Sequence, residues 1–512
     1  MFIALVLFLA ILVIAWLHWV WDRRRFYKAK KEVGGPFEFP IIGSGLNFID
    51  QSKPLYFLNG LHKIYGHTYF GFLGLKPCFI TCDPKIIEEV FTNENLVNKM
   101  DIYNVINDFA YNGLFTSERK KWQHSRKHIN KAFTNKVLLS FYNIFNKQAL
   151  ELCNILEQHV GKGEIDLYTY IERVQLDTAC LTTMGQETNF IRGENNELLE
   201  AYTDLIRFLG RRIFNPLLTN NFIFSYFYGK KRQYDKSLNI IKSNTLGFIE
   251  KKYLEIKKAQ EDGSNKDQDS SPEDEMNITK SKSIFIDIMV REYMAGNFTW
   301  KELQAEADTM IIAAYETTTN VLYITLYLLS IYPEYQDKLY EEIISVTTAE
   351  DISITPEHVR LLTYMDMIMN ETMRLISPVP IVGRDATENV KLGKYNVPKG
   401  TNIIIDVFSL HHCEEIWGPN ANHVFNPDNF LKENLVNKHP YSFVPFTKGI
   451  RNCIGWRYAT ISYKIMLSII LKKYKVSSTF KFKDLRYTEQ IVLKFEENPK
   501  ISFELRKNKT IS

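Results

Sequence analysis

Cysteine is scarce in this chain of 512 residues: there are six, Cys78, Cys82, Cys153, Cys180, Cys413 and Cys453, with no CxxC pair and no dense spacing. That excludes a disulfide scaffold and points to a reducing compartment, where a singular cysteine serves as ligand or nucleophile. Neither sign of charge is in excess. Lys+Arg 63 against Asp+Glu 59 leaves +4, too balanced for a dedicated nucleic-acid binder. No internal repeat is visible, and after residue 21 no stretch is long and uncharged enough to be a further membrane span. Apolar residues are plentiful, with 45% hydrophobic and 13% aromatic, which excludes a disordered chain. The length allows one large composite domain or two to three ordinary ones.

Met1 to Trp21 carry no charge, and as a helix they measure roughly 30 Å, the thickness of a hydrocarbon core. Asp22, Arg23, Arg24, Arg25, Lys28, Lys30 and Lys31 follow, a basic excess that holds its flank in the cytosol. The basic start, short core and small-x-small site of a cleaved signal peptide are missing. Residues 1–21 are therefore expected to be a single uncleaved transmembrane anchor. Residues 22–43 read as a basic linker and a stiff hinge, with Gly34, Gly35, Pro36, Pro40 and Gly43. The body, 44–512, reads as mainly α with a smaller β part. Helical periodicity dominates Asn59 to Ile256, and the polar tract 260–282 reads as a flexible loop. Trp300 to Ile331 is too apolar for a surface helix, while Glu302, Glu306, Asp308 and Glu316 exclude a membrane span, so it reads as a buried central helix. Thr401 to Val407 reads as a strand.

The most informative stretch is Phe446 to Gly455, FTKGIRNCIG. Gly449 permits a tight turn, and Gly455 lets backbone approach a flat partner. A helical pattern begins after Cys453, so its sulfur is expected near a helix N-terminus. Dipole, amide N–H groups and Arg451 would all favour thiolate there. The stretch matches FxxGxRxCxG at all five fixed positions and resembles the cysteine-ligand loop of the cytochrome P-450 family. The resemblance implies the P-450 fold and Cys453 as the proximal thiolate of a non-covalent haem, with Phe446, Gly449, Arg451 and Gly455 around it.

Further motifs stand in family order, from about Gly34 to Phe503. Glu371 and Arg374 look like the family's ExxR, an i, i+3 pair with a fold-holding role. Trp122 and Arg126 resemble its WxxxR, aimed at a haem propionate. Arg384, after Pro378-Val379-Pro380, is similar to a third propionate ligand. In the central helix, Ala313 to Thr318 is similar to [AG]Gx[DE]T[TS], which implies that Thr317 and Glu316 are the catalytic alcohol and acid serving bound dioxygen. Read without the resemblance, Thr317 would bond its own i−4 carbonyl and Glu316 would cap a neighbouring element.

The wider run resembles the fatty-acid omega-hydroxylase group, family 4, in a divergent insect form. Ala313 stands where that group often carries a haem-esterifying Glu, Ala314 where Gly is usual and Tyr315 where His is common. Asn429 replaces the Arg that usually completes a triad with ExxR, and His411 and His412 read as structural.

The resemblance implies an endoplasmic-reticulum (microsomal) monooxygenase facing the cytosol. It would insert one atom of O2 into a small apolar substrate (a fatty acid, a hormone- or steroid-like lipid, or a xenobiotic). Electrons would come from NADPH–cytochrome P-450 reductase; membrane lipid is a partner and nucleic acid is not. Lys120, Lys121, Lys127 and Lys131 beside Trp122 would form the reductase-docking face. A haem-thiolate isomerase or dehydratase, or a non-turnover haem-containing binding protein, is the alternative.

Overall fold

The computed structural model describes residues 2–39, 42–45, 54–215, 217–262, 284–348 and 352–506. Most of the polar tract at 260–282 lies outside them; the helix Lys231–Glu261 reaches its start.

The first helix runs unbroken over Phe2–Val33, so the expected anchor and the start of the basic linker are one element. Phe2, Ile3, Val6, Leu7 and Phe8 are exposed. The side chains of Ala4, Leu5, Leu9, Leu12 and Ala15 lie outside the described set. Among the described residues no helix is long and apolar enough to cross a membrane. The joint that follows is pinned to the body. Phe70 N–H donates to the Gly34 carbonyl (2.8 Å), and a Cβ at Gly35 would collide with the Phe70 carbonyl oxygen. Glu38 gathers Lys30 Nζ (2.6 Å), Ser44 Oγ (2.9 Å) and Phe72 N–H (2.7 Å).

The helical reading of Asn59 to Ile256 needs one insertion, a hairpin of β1 (Thr68–Leu73) and β2 (Lys76–Thr81). Its aromatic and β-branched residues favour strands. Then come β3 (Ile381–Asp385), β4 (Val390–Leu392), β5 (Tyr395–Val397) and β6 (Asn402–Asp406). The main sheet has the order β1-β2-β6-β3, with β2 and β6 parallel and the other pairs antiparallel. All five residues of β6 are buried, so it lacks alternation because both faces are covered. Three two-stranded pieces complete the β part: β4 with β5, β7 (Tyr474–Ser477) with β10 (Ser502–Leu505), and β8 (Tyr487–Glu489) with β9 (Leu493–Phe495).

Trp300–Ile331 forms one 32-residue helix. Thr299 and Glu302 cap its start reciprocally, with Glu302 Oε2 accepting from Thr299 N–H at 2.9 Å, and Pro333 prevents its extension. It is buried nearly all round. Its first half joins a core with Asn196–Phe214, Lys231–Glu261 and Phe285–Met294. Its second half joins another with Tyr142–Leu156, Thr363–Leu375 and Trp456–Lys473. The fold is mainly helical with a smaller sheet part, as expected.

Candidate active site

The loop Phe446 to Gly455 is bent back on itself. Cys453 N–H donates to the Phe446 carbonyl (2.9 Å), and Thr447 and Gly449 have φ of 54° and 70°. Ile450 N–H reaches the Phe91 carbonyl at 3.3 Å, and a Cβ on Gly449 would collide with that same oxygen. Close backbone approach therefore demands glycine there. Gly455 differs, since a Cβ would meet nothing nearer than Phe133 at 3.9 Å. The protein alone leaves space on that side.

Cys453 is exposed by surface area, yet the enclosing protein strongly desolvates its thiol. The two facts agree if its sulfur faces an opening inside the fold. Burial pushes the thiol up, while the Gly455 N–H and Arg126 pull it down. This corrects the expectation of a thiol lowered by Arg451: the cation that acts on it is Arg126, and burial dominates. The following helix starts at Trp456 with Gly455 as its cap.

Four cations converge beside the loop. Arg126 donates to the Asn452 carbonyl (2.8 Å) and Oδ1 (2.9 Å). Arg451, buried 5.1 Å over the Trp122 ring, donates to the carbonyls of Val97 (3.1 Å), Leu114 (3.3 Å) and Ser117 (2.7 Å). Arg384 is 2% exposed and donates to the Gly383 carbonyl (3.0 Å). Lys99, which no sequence motif marked, is the fourth. Burial, then Arg384 and Arg451, holds Lys99 well below the ordinary lysine range. Burial, then Arg384 and Arg126, lowers Arg451 to about 9, and burial lowers Arg384 to about 10. Among the described residues none of the four forms an ion pair. Uncompensated buried charge is costly, and a ligand carrying two carboxylates would relieve it.

The central helix presents Ala313, exposed, and Thr317, half-buried, along one face of an otherwise buried stretch; residues i and i+4 share a face. Ala314 packs against both cores, one of which also receives Phe446 and the other Ile450 and Ile454 of the cysteine loop. Thr317 Oγ1 donates to the Ala313 carbonyl (3.0 Å). Glu316, 1% exposed, pairs with Lys494 at 2.8 Å. The alcohol thus bonds its own i−4 carbonyl, as expected without the resemblance, whereas the acid caps no neighbouring element among the described residues and instead pairs with a lysine.

The family model for cytochrome P450 matches residues 33–503. The chain belongs to the cytochrome P450 family. Among its relatives are "Probable cytochrome P450 313a4" of Drosophila melanogaster, 35% identical over 98% of this chain and 99% of the relative, and "Probable cytochrome P450 313b1", 34% identical over 97% and 98%. "Cytochrome P450 4c3" of the same fly is 28% identical over 92% of this chain and 89% of the relative. This is a divergent insect-type P450 with family-4-like relatives. It is a monooxygenase that uses haem with a cysteine thiolate as axial ligand. The residues fit that group. Arg126, Arg384, Arg451 and Lys99 would take up the two carboxylates of such a group, and Gly455 leaves room for a flat partner.

The P450's Glu371 and Arg374 are both fully buried and joined by two bonds of 2.7 Å. Arg374 also binds the carbonyls of His411 (2.9 Å), Ala421 (2.6 Å) and Val424 (3.2 Å). Asn429 Nδ2 donates to Glu371 Oε1 at 3.2 Å and Asn426 N–H to the same oxygen at 2.9 Å, so a neutral amide completes this network. His411 accepts from Val444 N–H (3.1 Å), and His412 bonds the Leu375 carbonyl (3.0 Å). Burial holds both imidazoles below their ordinary range. On the basic face, Lys121 pairs with Glu302 at 2.8 Å and the exposed Lys131 with Glu292; Lys120 and Lys127 are exposed and form no ion pair among the described residues.

Cys413 lies elsewhere, with its Sγ 3.7 Å from His67 Nε2 and the mostly exposed Glu415 beside it. Among the described residues its ionisable neighbours are this histidine and carboxylate, not a group of arginines and lysine. Sequence reasoning missed Lys99 and Lys494, since no local motif distinguishes them.

Proposed function

We propose that Cys453 is the axial ligand of the haem. The chain would insert one oxygen atom of O2 into an apolar substrate, with electrons from NADPH delivered by a membrane reductase. The observation that carries this reading is the open Cys453 sulfur beside four unpaired cations. Arg126, Arg384 and Lys99 would bind the propionates, with Trp122 beneath Arg451. Arg451 itself ties the loop to residues 97–117 through three carbonyls. Ala313 has no carboxyl group, so the haem is non-covalent there and extractable.

Bound haem would supply dioxygen activation; the chain's own residues manage position and protons. Thr317 Oγ1 donates to Ala313 and keeps lone pairs for a further donor on the open face. Ala313 and Ala314 keep that face apolar, which suits a fatty acid, a steroid-like lipid or a xenobiotic. The uncharged residues 2–21 in one helix, followed by the basic segment, support anchoring in the endoplasmic reticulum with the body in the cytosol. Exposed Lys120 and Lys127 support docking of an acidic reductase.

The test is the carbon monoxide difference spectrum of reduced membranes. Wild type should give a strongly red-shifted Soret band, and Cys453→Ala should lose it while Cys413→Ala keeps it. Loss on Cys413→Ala alone would overturn the assignment. Alkaline extraction should release a chain truncated before Gly34 but not the full chain.

A further inference from the structure

Three donor atoms meet where the β1–β2 hairpin faces the chain that leaves β6. Because β2 and β6 are parallel, with Thr81 opposite Ile405, the His67 end of the hairpin and the segment after β6 emerge at the same edge of the sheet. His67 Nε2 lies 3.7 Å from Cys413 Sγ and 3.5 Å from Glu415 Oε2, so one ring nitrogen faces both partners. All three donor atoms lie within 4.8 Å of one another.

Both backbones are held. Cys82 N–H donates to the His67 carbonyl (2.8 Å), and the N–H groups of Trp417 and Ile416 donate to the Cys413 carbonyl (2.9 and 3.0 Å). The buried Trp417 indole fastens the short helix Glu414–Trp417 to the Leu410 carbonyl at 3.3 Å. His67 and Cys413 are half-buried, whereas Glu415 is 79% exposed and has room to turn.

The spacing is that of a tetrahedral metal site. With Zn–N of about 2.0–2.1 Å, Zn–S of about 2.3 Å and Zn–O of about 2.0–2.2 Å, tetrahedral angles put N and S about 3.6 Å apart and N and O about 3.4 Å apart. The observed 3.7 and 3.5 Å agree within the roughly 0.2 Å expected of a metal site. A single N–H on Nε2 serves one of these partners well, whereas a cation between the three donors satisfies all of them. The ionisable groups acting most on His67 are Cys413, Glu415 and Asp83, all acids, which favours a cation there. Mixed N, S and O donors suit zinc and disfavour calcium and magnesium, which take oxygen.

We propose that His67, Cys413 and Glu415 form a binding site for one zinc ion, with water in the fourth position. On binding, the zinc exchanges hydration water for the three ligands and the Cys413 thiol gives its proton to solvent. Thiolate and carboxylate then neutralise the dication, and no oxidant or reductant is involved. A half-exposed set of three ligands exchanges its metal with solvent, unlike a closed four-ligand site. The ion clasps the β1–β2 hairpin to the stretch whose His411 and Ala421 carbonyls Arg374 holds. The site does not rest on the monooxygenase reading.

The experiment uses full-length haem-loaded protein without a histidine tag, stripped with EDTA in detergent, given one equivalent of zinc and desalted. Metal analysis should find one zinc per chain. Zinc-edge X-ray absorption, which is blind to haem iron, should show one sulfur at about 2.3 Å and nitrogen or oxygen at about 2.0–2.2 Å. Cys413→Ser should remove the sulfur and weaken zinc binding by at least about a hundredfold, the upper end for losing a residue that merely orients a ligand. Glu415→Gln should weaken it by about tenfold or more. Zinc should raise the melting temperature of wild type but not of Cys413→Ser. His439→Gln, which breaks a histidine–carboxylate pair with Glu88 at 3.4 Å, should bind zinc as wild type does. No retained zinc, zinc without a sulfur neighbour, or a sulfur that persists in Cys413→Ser overturns the site. So does wild-type affinity in Glu415→Gln, or loss of zinc in His439→Gln. If Cys413→Ser fails to fold, Glu415→Gln, a change at an exposed side chain, still decides. A wild type lacking the thiolate-type carbon monoxide band would refute the monooxygenase reading instead, and the zinc result would still judge the site.

Discussion

Replacing Glu371 by Gln keeps shape and volume and removes one buried charge. In the native P450, Glu371 Oε1 accepts from Arg374, Asn426 and Asn429, and Oε2 accepts from Arg374 Nε. The amide can imitate Oε1, but its NH2 then confronts the Arg374 N–H at the Oε2 position. Arg374 has no exposed surface, so its guanidinium loses the anion it is paired with and gains no water. Breaking a buried pair from one side costs about 3–5 kcal/mol. Against a total stability of roughly 5–15 kcal/mol, that is a large share. Asn429→Ala is the internal control, because it removes one neutral donor at 3.2 Å and should cost about 0.5–1.5 kcal/mol. Urea midpoints for haem release and for loss of helical signal, with slopes unchanged, measure both variants. A Glu371→Gln midpoint no lower than that of Asn429→Ala would refute the reasoning, since the charge would then not matter where burial says it must.

Gly449→Ala should yield little haem-loaded protein, because the left-handed φ of 70° and the Phe91 backbone leave no place for a methyl; spectroscopic haem content per chain checks this. Lys99→Met should act with opposite signs on the two forms. It should raise the melting temperature of the haem-free chain by removing a charge that Arg384 and Arg451 repel, and speed haem loss to a competing acceptor. Glu306, which accepts from Leu114 N–H at 2.9 Å, is raised to about 7 by burial. A carboxyl raised on folding contributes stability that is fully present below its unfolded pKa and lost as pH rises through about 7. Wild type should therefore lose up to roughly 3 kcal/mol between pH 5 and 8 that Glu306→Gln retains, as read from denaturation midpoints.

The sequence by itself was enough to place the chain in its family, locate the long buried helix and single out Cys453, because those signals are local. FxxGxRxCxG encodes a backbone turn, and the central helix is marked by its capping pair, its apolar length and the proline that ends it. Charge spacing likewise marked Glu371 and Arg374, although burial was needed to turn a commonplace i, i+3 pair into a fully desolvated one. Tertiary structure alone decided what the charged residues do. Arg451 reads in sequence as a thiol neighbour, but packing sends its guanidinium to three distant carbonyls and brings Arg126 to the thiol instead. Lys99 and Lys494 carry no local mark. Lys99 joins Arg384 and Arg451, and Lys494 meets Glu316, only because chain segments hundreds of residues apart are packed together. Burial then strips these groups of water, and an unsolvated charge takes its role from whatever the fold sets beside it.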